Sequence, residues 1–300
     1  MQEMSTIIFN EICKSLGFED QIHAITPIAG GDTCRVYRLE TGELSLFVKL
    51  RAKHDSTVFS EESRSLNAIA ATGCVPVPQV LGHGSLGDVS WLALEWLSLN
   101  AGDERCGALL GLKLAELHKV TSDSYGWEAS NFIGANRQSN SVSKDWTTFF
   151  VEQRLKPQIR MLRLRNIDND LSMSLGRVLD ATTTLLARHC PEPSMLHGDM
   201  WGGNWARLSN GDPVIFDPAS YWGDRETDLA MTALFGGFPA TFYAAYDEAW
   251  PLPKGWVQRR PVYQLYHVLN HVTLFGGSYV SQASTMVREI CEEAGGPLMA

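Results

Sequence analysis

The spacing of apolar positions separates a strand-rich beginning of the chain from a helical remainder. Short apolar runs with turn residues between them predict three strands from residue 25 to residue 50, and another run predicts a buried strand at 90–97. Apolar residues at helical spacing predict two helices in the same part, at 6–16 and 57–71. We therefore expect a small antiparallel sheet with accompanying helices.

Helices dominate the chain after its composition shifts at residues 98–103. Helical spacing of apolar residues recurs in five segments, which are 106–119, 145–164, 170–189, one that opens at Glu226, and 261–275. Strands first and helices afterwards is the order of the bilobal protein-kinase-like fold. We therefore expect an α+β protein with a small antiparallel-sheet N-lobe at 1–97 and a mostly helical C-lobe at 98–300.

The bulk composition is that of a globular chain and argues against several classes of partner. Hydrophobic residues make up 44% of the 300 positions, and the formal net charge of −9 disfavours nucleic acid as a partner. No apolar run approaches the length that spans a bilayer, and the N-terminus lacks the basic and apolar regions of a signal peptide. The cysteines form no C-x-x-C pair. We therefore expect a reduced, cytoplasmic protein without a membrane partner.

Two apolar runs in the second half of the chain each end in polar residues that can carry chemistry. The first leads to Asp199, with Asn204 five positions later, and the second leads to Asp217, eighteen positions beyond Asp199. A kinase catalytic loop needs an Asp that takes the hydroxyl proton, an Asn for metal and a second metal-binding Asp nearby. An ordinary turn would explain one such residue alone. Three at kinase spacing predict Asp199 as the catalytic base and Asn204 and Asp217 as Mg²⁺ ligands.

Residues suited to the phosphates of a nucleotide lie in the strand-rich part. Gly30 and Gly31 predict a tight turn whose N–H groups can approach phosphate oxygens closely, although such turns are also common in plain hairpins. Lys49 lies near the end of the third predicted strand, where kinases have a lysine that contacts the α- and β-phosphates. A solvated lysine at the strand end is the alternative for Lys49.

The helix predicted at 57–71 offers a glutamate partner for that lysine. Glu62 lies three positions after Phe59 and four before Leu66, and these apolar residues share a face. We therefore expect Glu62 to point to the interior and to hold the lysine, and Glu61 to point to solvent.

The predicted strand at 90–97 admits two interpretations. In a kinase, the segment that joins the lobes binds adenine through backbone groups, which assigns Glu95, Trp96 and Leu97 to the ATP site. A core strand without any ligand remains the alternative.

The sequence around these positions resembles the fructosamine kinase (ketosamine-3-kinase) family, which is related to the aminoglycoside phosphotransferases. The resemblance covers nearly the whole chain. Its most specific segments are 196–204 and 215–231, which read LHGDMWGGN and IFDPASYWGDRETDLAM. Supporting segments are 126–127, 131–134, 146–155 and 261–266.

The resemblance implies ATP-dependent phosphorylation of a sugar hydroxyl, typically the 3-hydroxyl of a ketosamine of the fructosamine or ribulosamine type. The phosphorylated adduct then decomposes, so the family is regarded as deglycating proteins or metabolites. The matches imply ATP and Mg²⁺ as cofactors and the roles already given for the base, the metal ligands and the ATP contacts. Trp201 and Asp224 are expected on the substrate side, with a core tryptophan as the alternative for Trp201, and Asp228 is expected to brace the catalytic loop.

The sequence departs from the usual family pattern at two places, and two functions other than ketosamine phosphorylation stay open. The family usually has Ser where Gly203 stands, and residues 33–35 in the predicted phosphate turn do not match it strongly. Cys34 in this turn is either a redox-active thiol or an inert one in a strand. A phosphotransferase for another hydroxylated amine, such as an aminoglycoside or choline, is the first alternative function, because carboxylates in the C-terminal part can hold cationic groups. Those acids are Asp224, Glu226, Asp247 and Glu248. A pseudokinase that only binds is the second, and the intact set of catalytic residues argues against it.

Overall fold

A five-stranded antiparallel sheet forms the first part of the fold. Its strands are β1 (Ala24–Ile28), β2 (Arg35–Glu40), β3 (Ser45–Ala52), β4 (Val80–Leu86) and β5 (Val89–Glu95), in the spatial order β1-β2-β3-β5-β4. The structure is a computed structural model and describes residues 2–18, 22–29, 34–42, 44–52, 57–167 and 169–295. Gly30 and Gly31 lie outside the described residues, so their predicted turn stays a prediction.

Two helices cover opposite faces of this sheet. Helix α1 (Gln2–Ser15) packs Phe9 and Ile12 on the face that carries Val48, whereas helix α2 (Val58–Thr72) packs on the face that carries Leu92 and Leu94. Successive residues of a strand point to opposite faces. Lys49, which pairs with Leu92 in the register of β3 and β5, therefore points to the side of α2.

Helices make up most of the chain from residue 104 onward. They are α3 (Glu104–His118), α4 (Trp146–Phe150), α5 (Lys156–Leu164), α6 (Asn169–Leu186), α7 (Glu226–Thr232), α8 (Ala240–Ala249), α9 (Trp256–Phe275) and α10 (Ser278–Glu293). Their apolar residues form one core with α9 inside it, where Leu265, Val268 and Leu269 are completely buried. Of the helices in the described ranges, none is both long and apolar enough to cross a membrane.

Short strands position the polar residues of the second half. Strands β6 (Leu99–Asn100), β10 (Trp205–Leu208) and β11 (Pro213–Ile215) form a three-stranded sheet. Two further pairs are β7 (Asn131–Ile133) with β8 (Asn136–Gln138), and β9 (Ser194–Met195) with β12 (Trp222–Gly223). The β10–β11 hairpin lies between the two predicted catalytic segments along the chain.

The helices differ from the prediction in several places. A π-helical turn at Val151–Leu155 interrupts the helix predicted at 145–164. Helix α9 begins at Trp256, before Pro261, because the helix accepts the loss of one backbone hydrogen bond where its apolar face is buried. Helices α8 and α10 were not predicted, and they complete the core around α3 and α9.

Candidate active site

A cavity of about 1040 Å³ brings the predicted residues together. Lys49 and Glu62 reach it from β3 and α2, and Asp199, Asn204 and Asp217 reach it from the loops around the β10–β11 hairpin. These residues are separated by up to 168 positions in the sequence. The structure therefore assembles all five described members of the predicted catalytic set at one place.

The β10–β11 hairpin explains why the two metal-type residues are neighbours. Trp205 pairs with Ile215, and the ladder continues with the N–H of Phe216, which donates to the backbone oxygen of Asn204 at 3.0 Å. Asp217 is the next residue and adopts a left-handed backbone with φ 59°. This turn of the chain presents the Asp217 side chain to the cavity beside Asn204.

Asn204 links the hairpin to the predicted base. Its Nδ2 donates to the backbone oxygen of Asp199 at 2.8 Å and, more weakly, to the Asp199 carboxylate at 3.4 Å. Because these bonds use the amide nitrogen, the amide oxygen of Asn204 is the atom left for a cation. Burial, with the nearby Asp217 and Asp228 carboxylates, raises the pKa of Asp199 to about 7.

Asp228 stabilises the predicted catalytic loop through hydrogen bonds to its backbone, as expected. Its carboxylate accepts hydrogen bonds from the N–H groups of His197 at 2.7 Å and Gly198 at 2.8 Å, and it contacts His118 Nε2 at 3.1 Å. Burial opposes ionisation of Asp228, but the contact with His118 and the loop donors lower its pKa. A buried carboxylate with several donors fixes the backbone just before Asp199.

Histidines on both sides of Asp228 complete the support of this loop. The ring of His197 accepts from the N–H of Asp199 through Nδ1, which leaves Nε2–H to donate to the Phe216 oxygen at 3.0 Å. His118 also contacts the Tyr246 hydroxyl at 2.8 Å. His118 was not assigned a site role from the sequence, because its position in helix α3 fits an apolar face. It is completely buried.

Gly198 gives this loop a close backbone contact, and its replacement is expected to destabilise the protein. Its φ of 86° is unfavourable for other residues, and a Cβ there would overlap the backbone oxygen of Ala219. We expect Gly198→Ala to lower the free energy of unfolding by at least about 3 kcal/mol in chemical denaturation.

The control for Gly198 is Gly176 in helix α6, where a Cβ meets no atom within 4 Å. Gly176→Ala is expected to raise the free energy of unfolding by about 0.5–1 kcal/mol, because alanine loses less backbone entropy in a helix. Equal effects of the two alanines would contradict the packing described for the catalytic loop.

Lys49 joins the sheet to both catalytic segments. Its Nζ donates to Glu62 Oε1 at 2.7 Å and to Asp217 Oδ1 at 2.6 Å, and the side chain is nearly buried. Burial works against the charged form, but the Asp217 and Glu62 carboxylates raise the pKa of Lys49 well above its usual range. The ammonium group therefore stays charged beside Asp217, at the predicted phosphate site.

The expectation that Glu61 points to solvent is wrong. Glu61 is only 7% exposed and pairs with Arg64 at 3.2 Å. It lies on the same helical line as Val58 and Ser65, which are buried, so the buried face of α2 is wider than the Phe59–Leu66 stripe indicated. Glu62 still makes the contact with Lys49.

The end of strand β5 also lines the cavity, through Glu95, Trp96 and Leu97. The N–H of Glu95 donates to Gln79 and that of Trp96 to Ser45, so both serve the sheet. The hydrogen bonds of the described residues do not use the N–H of Leu97. Leu97 is thus the first backbone donor past the strand that a ligand can take.

Trp201 lies beside the base and is 41% exposed at the cavity. Its ring lies over Gly203, so a Cβ at Gly203 would overlap the far edge of the indole. The core alternative for Trp201 is therefore wrong. The glycine that departs from the usual family residue is what allows the indole to lie against the loop.

Substitution of Gly203 is expected to change the part of the cavity that is predicted to hold the substrate. We expect Gly203→Ser to push the Trp201 indole into the cavity and to raise the KM of the phosphate acceptor by about tenfold, with the KM of ATP unchanged. The effect is expected to disappear when the same change is made in a Trp201→Ala background, which isolates the contact between the two residues. A persistent effect in that background would contradict this explanation.

Asp224, predicted on the substrate side, does not line the cavity. It is 1% exposed, and its carboxylate binds His189 Nε2 at 2.7 Å and the Tyr263 hydroxyl at 2.6 Å. Asp224 therefore has a structural role, because its contacts connect the start of α7 to α9.

Cys34 does line the cavity. Burial raises the pKa of its thiol, while the charge of Lys49 opposes this rise, and the raised pKa favours the inert alternative.

The sequence and the fold both match known proteins. A family model described as "Fructosamine kinase" matches residues 4–293. A probable ketoamine kinase from Synechocystis sp. is 41% identical over 283 residues, which is 94% of this chain and 95% of the relative. A crystal structure described as that of a "Putative fructosamine-3-kinase" from Haemophilus somnus 129PT superimposes with a TM-score of 0.86 and 28% identity, over 93% of this chain and 95% of that chain.

A more distant likeness concerns the fold alone. An aminoglycoside phosphotransferase is 15% identical and superimposes with a TM-score of 0.66 over 97% of this chain and 98% of that chain. The predicted α+β, protein-kinase-like fold is confirmed.

Proposed function

The chain belongs to the fructosamine kinase family, and on this ground we propose that it uses ATP to phosphorylate the 3-hydroxyl of a ketosamine. The substrate is a sugar joined to an amine of a metabolite or a protein, so the activity serves deglycation. One observation carries the proposal: Asp199, Asn204, Asp217 and the Lys49–Glu62 pair all line a single cavity. Phosphoryl transfer needs this kind of positioning more than it needs covalent chemistry.

The residues around Asp217 fit a hard cation. Asp217 offers a carboxylate that is half exposed to the cavity, and Asn204 offers its amide oxygen; oxygen ligands of this kind suit Mg²⁺. Mg²⁺, when bound, neutralises phosphate oxygens of the nucleotide during transfer. We propose Asn204 and Asp217 as its protein ligands. Lys49 already neutralises part of the Asp217 charge, which keeps the site from being overloaded with negative charge.

The remaining residues divide the work of binding and proton transfer. Asp199 takes the proton of the attacking hydroxyl, and its pKa of about 7 suits a base that works near neutral pH. Lys49, held by Glu62, binds the α- and β-phosphates, and the backbone at Glu95, Trp96 and Leu97 binds adenine. Trp201 offers an indole face to the sugar.

The predicted phosphate turn, lobe boundary and cellular location also belong to this proposal. Gly30 and Gly31 remain predicted phosphate contacts, and the lobe boundary between residues 97 and 98 and the cytoplasmic location remain predictions.

An aminoglycoside or choline phosphotransferase is less well supported. The acids that kept this alternative open do not line the cavity. Glu226 is held by Arg259, Asp224 by His189 and Tyr263, and Asp247 accepts from the N–H of Leu252. A polycationic substrate would therefore find few carboxylates beyond those assigned to catalysis.

ADP release with a panel of acceptors tests the proposal. Purified protein with Mg-ATP is expected to turn over fructosyl and ribulosyl derivatives of one amine and to leave aminoglycosides and choline unphosphorylated. Turnover of an aminoglycoside in preference to every ketosamine would favour the alternative. Failure to bind Mg-ATP would revive the pseudokinase interpretation.

A further inference from the structure

Four aromatic rings form a partly exposed cluster, and two of them line one edge of the cavity. We call this cluster the aromatic rim; it consists of Phe235, His271, Phe275 and Tyr279. His271 lies at its centre. Its ring lies 4.8 Å from that of Phe235, 5.0 Å from that of Tyr279 and 5.6 Å from that of Phe275. His271 and Phe275 line the same cavity as the catalytic base Asp199.

Hydrogen bonding and ring contacts orient the side chains of the rim, which is partly exposed. His271 Nδ1 contacts the backbone oxygen of His267 at 2.8 Å, which orients its ring on helix α9. The chain then turns at Gly276 and Gly277, both with positive φ, and returns Tyr279 against His271 and Phe275. Phe235 is 37% exposed and Phe275 is 49% exposed. Phe275 is the member exposed at the cavity itself, and an apolar side chain exposed there offers a surface for a ligand.

The carboxylates that line the cavity lie away from the aromatic rim. The carboxylates among the described lining residues belong to Glu61, Glu62, Glu95, Asp199 and Asp217. They lie on α2, at the end of β5 and in the catalytic segments, and none lies on α9 or in the rim. The rim therefore offers ring faces and apolar contacts to whatever part of a substrate reaches it.

On the proposed function, we propose that the aromatic rim binds the substituent on the ketosamine nitrogen, and that it prefers an aromatic substituent. The reacting 3-hydroxyl has to lie at Asp199, and the nitrogen is bonded to C1, two carbons along the sugar. The substituent consequently leaves the sugar within the same cavity. Offset or edge-to-face ring contacts there would add affinity without touching the reacting atoms.

Ketosamines of one sugar that differ only in the amine test this inference. The KM values of the methylamine, glycine and benzylamine adducts are measured in the intact protein at saturating Mg-ATP. We expect the benzylamine adduct to have a KM about tenfold below that of the methylamine adduct, and the glycine adduct to gain no such advantage.

Variants of the rim locate the preference. Phe275→Ala is expected to raise the KM of the benzylamine adduct about fivefold and to leave the KM of the methylamine adduct and of ATP unchanged. Phe235→Leu, a milder change behind His271, is expected to act in the same direction. Tyr243→Ala is the control, because Tyr243 is 36% exposed and does not line the cavity.

The failures of this inference and of the proposed function can be told apart. Turnover of all three adducts with equal KM, or an equal rise of every KM in Phe275→Ala, would overturn the role of the rim while leaving the ketosamine kinase activity in place. Turnover of none of the adducts would refute the proposed function and this inference with it.

Discussion

Asp199→Asn is expected to lower kcat by a factor of about 10²–10⁴ and to change the Kd of ATP by less than about twofold. Asn has nearly the shape of Asp and can keep the contact with Asn204, but it cannot accept the hydroxyl proton. Steady-state kinetics with a fructosyl-amine and nucleotide titration of the same preparation measure the two effects separately.

The matched control for this change is Asp180→Asn, on the exposed side of helix α6. It is expected to retain the kinetics of the unmodified enzyme. If Asp199→Asn also retained its turnover number, the assignment of Asp199 as the base would be wrong.

Asp217→Asn is expected to lower turnover by about 10³ and to weaken the binding of Mg-ATP by about tenfold or more. Asn tolerates the left-handed backbone that this position adopts, with φ 59°, whereas Ala would add strain. The substitution therefore removes the charge without a large change in backbone geometry. Isothermal titration with ATP in the presence and absence of Mg²⁺ isolates the metal-dependent part of binding.

Glu116→Gln provides the control for loss of a carboxylate in an ion pair. Glu116 pairs with Lys119 on an exposed face of helix α3, and its removal is expected to change neither turnover nor nucleotide binding. An unchanged dependence on Mg²⁺ in Asp217→Asn would contradict the proposed metal ligand.

The part of the site that the sequence predicts is the part that local structure builds. One hairpin sets the spacing of Asn204 and Asp217, since Trp205 pairs with Ile215 directly between them. The contact of Lys49 with Glu62 follows from a strand and the next helix, thirteen positions apart. In both cases the elements are neighbours in the sequence, so the apolar pattern indicates which polar residues come together, although it placed Glu61 on the wrong face of α2.

The apolar pattern does not predict contacts between polar residues that are far apart in the sequence. Asp224 resembles a site residue in its motif, but its burial depends on His189 and Tyr263, 35 and 39 positions away. His118 supports the catalytic loop through Asp228, 110 positions later. Periodicity reports which face of an element is apolar, and it carries no information on which distant polar group meets that face.

The most direct test of the account is the structure of the reaction product. Phosphorus-31 and proton–phosphorus correlation NMR of a mixture of the enzyme, Mg-ATP and a fructosyl-amine follow both the nucleotide and the sugar. A ketosamine 3-kinase is expected to produce a new phosphomonoester signal that correlates with the proton on C3 and grows in step with the formation of ADP. Formation of inorganic phosphate alone, or a phosphoryl group on another hydroxyl, would contradict the proposed activity.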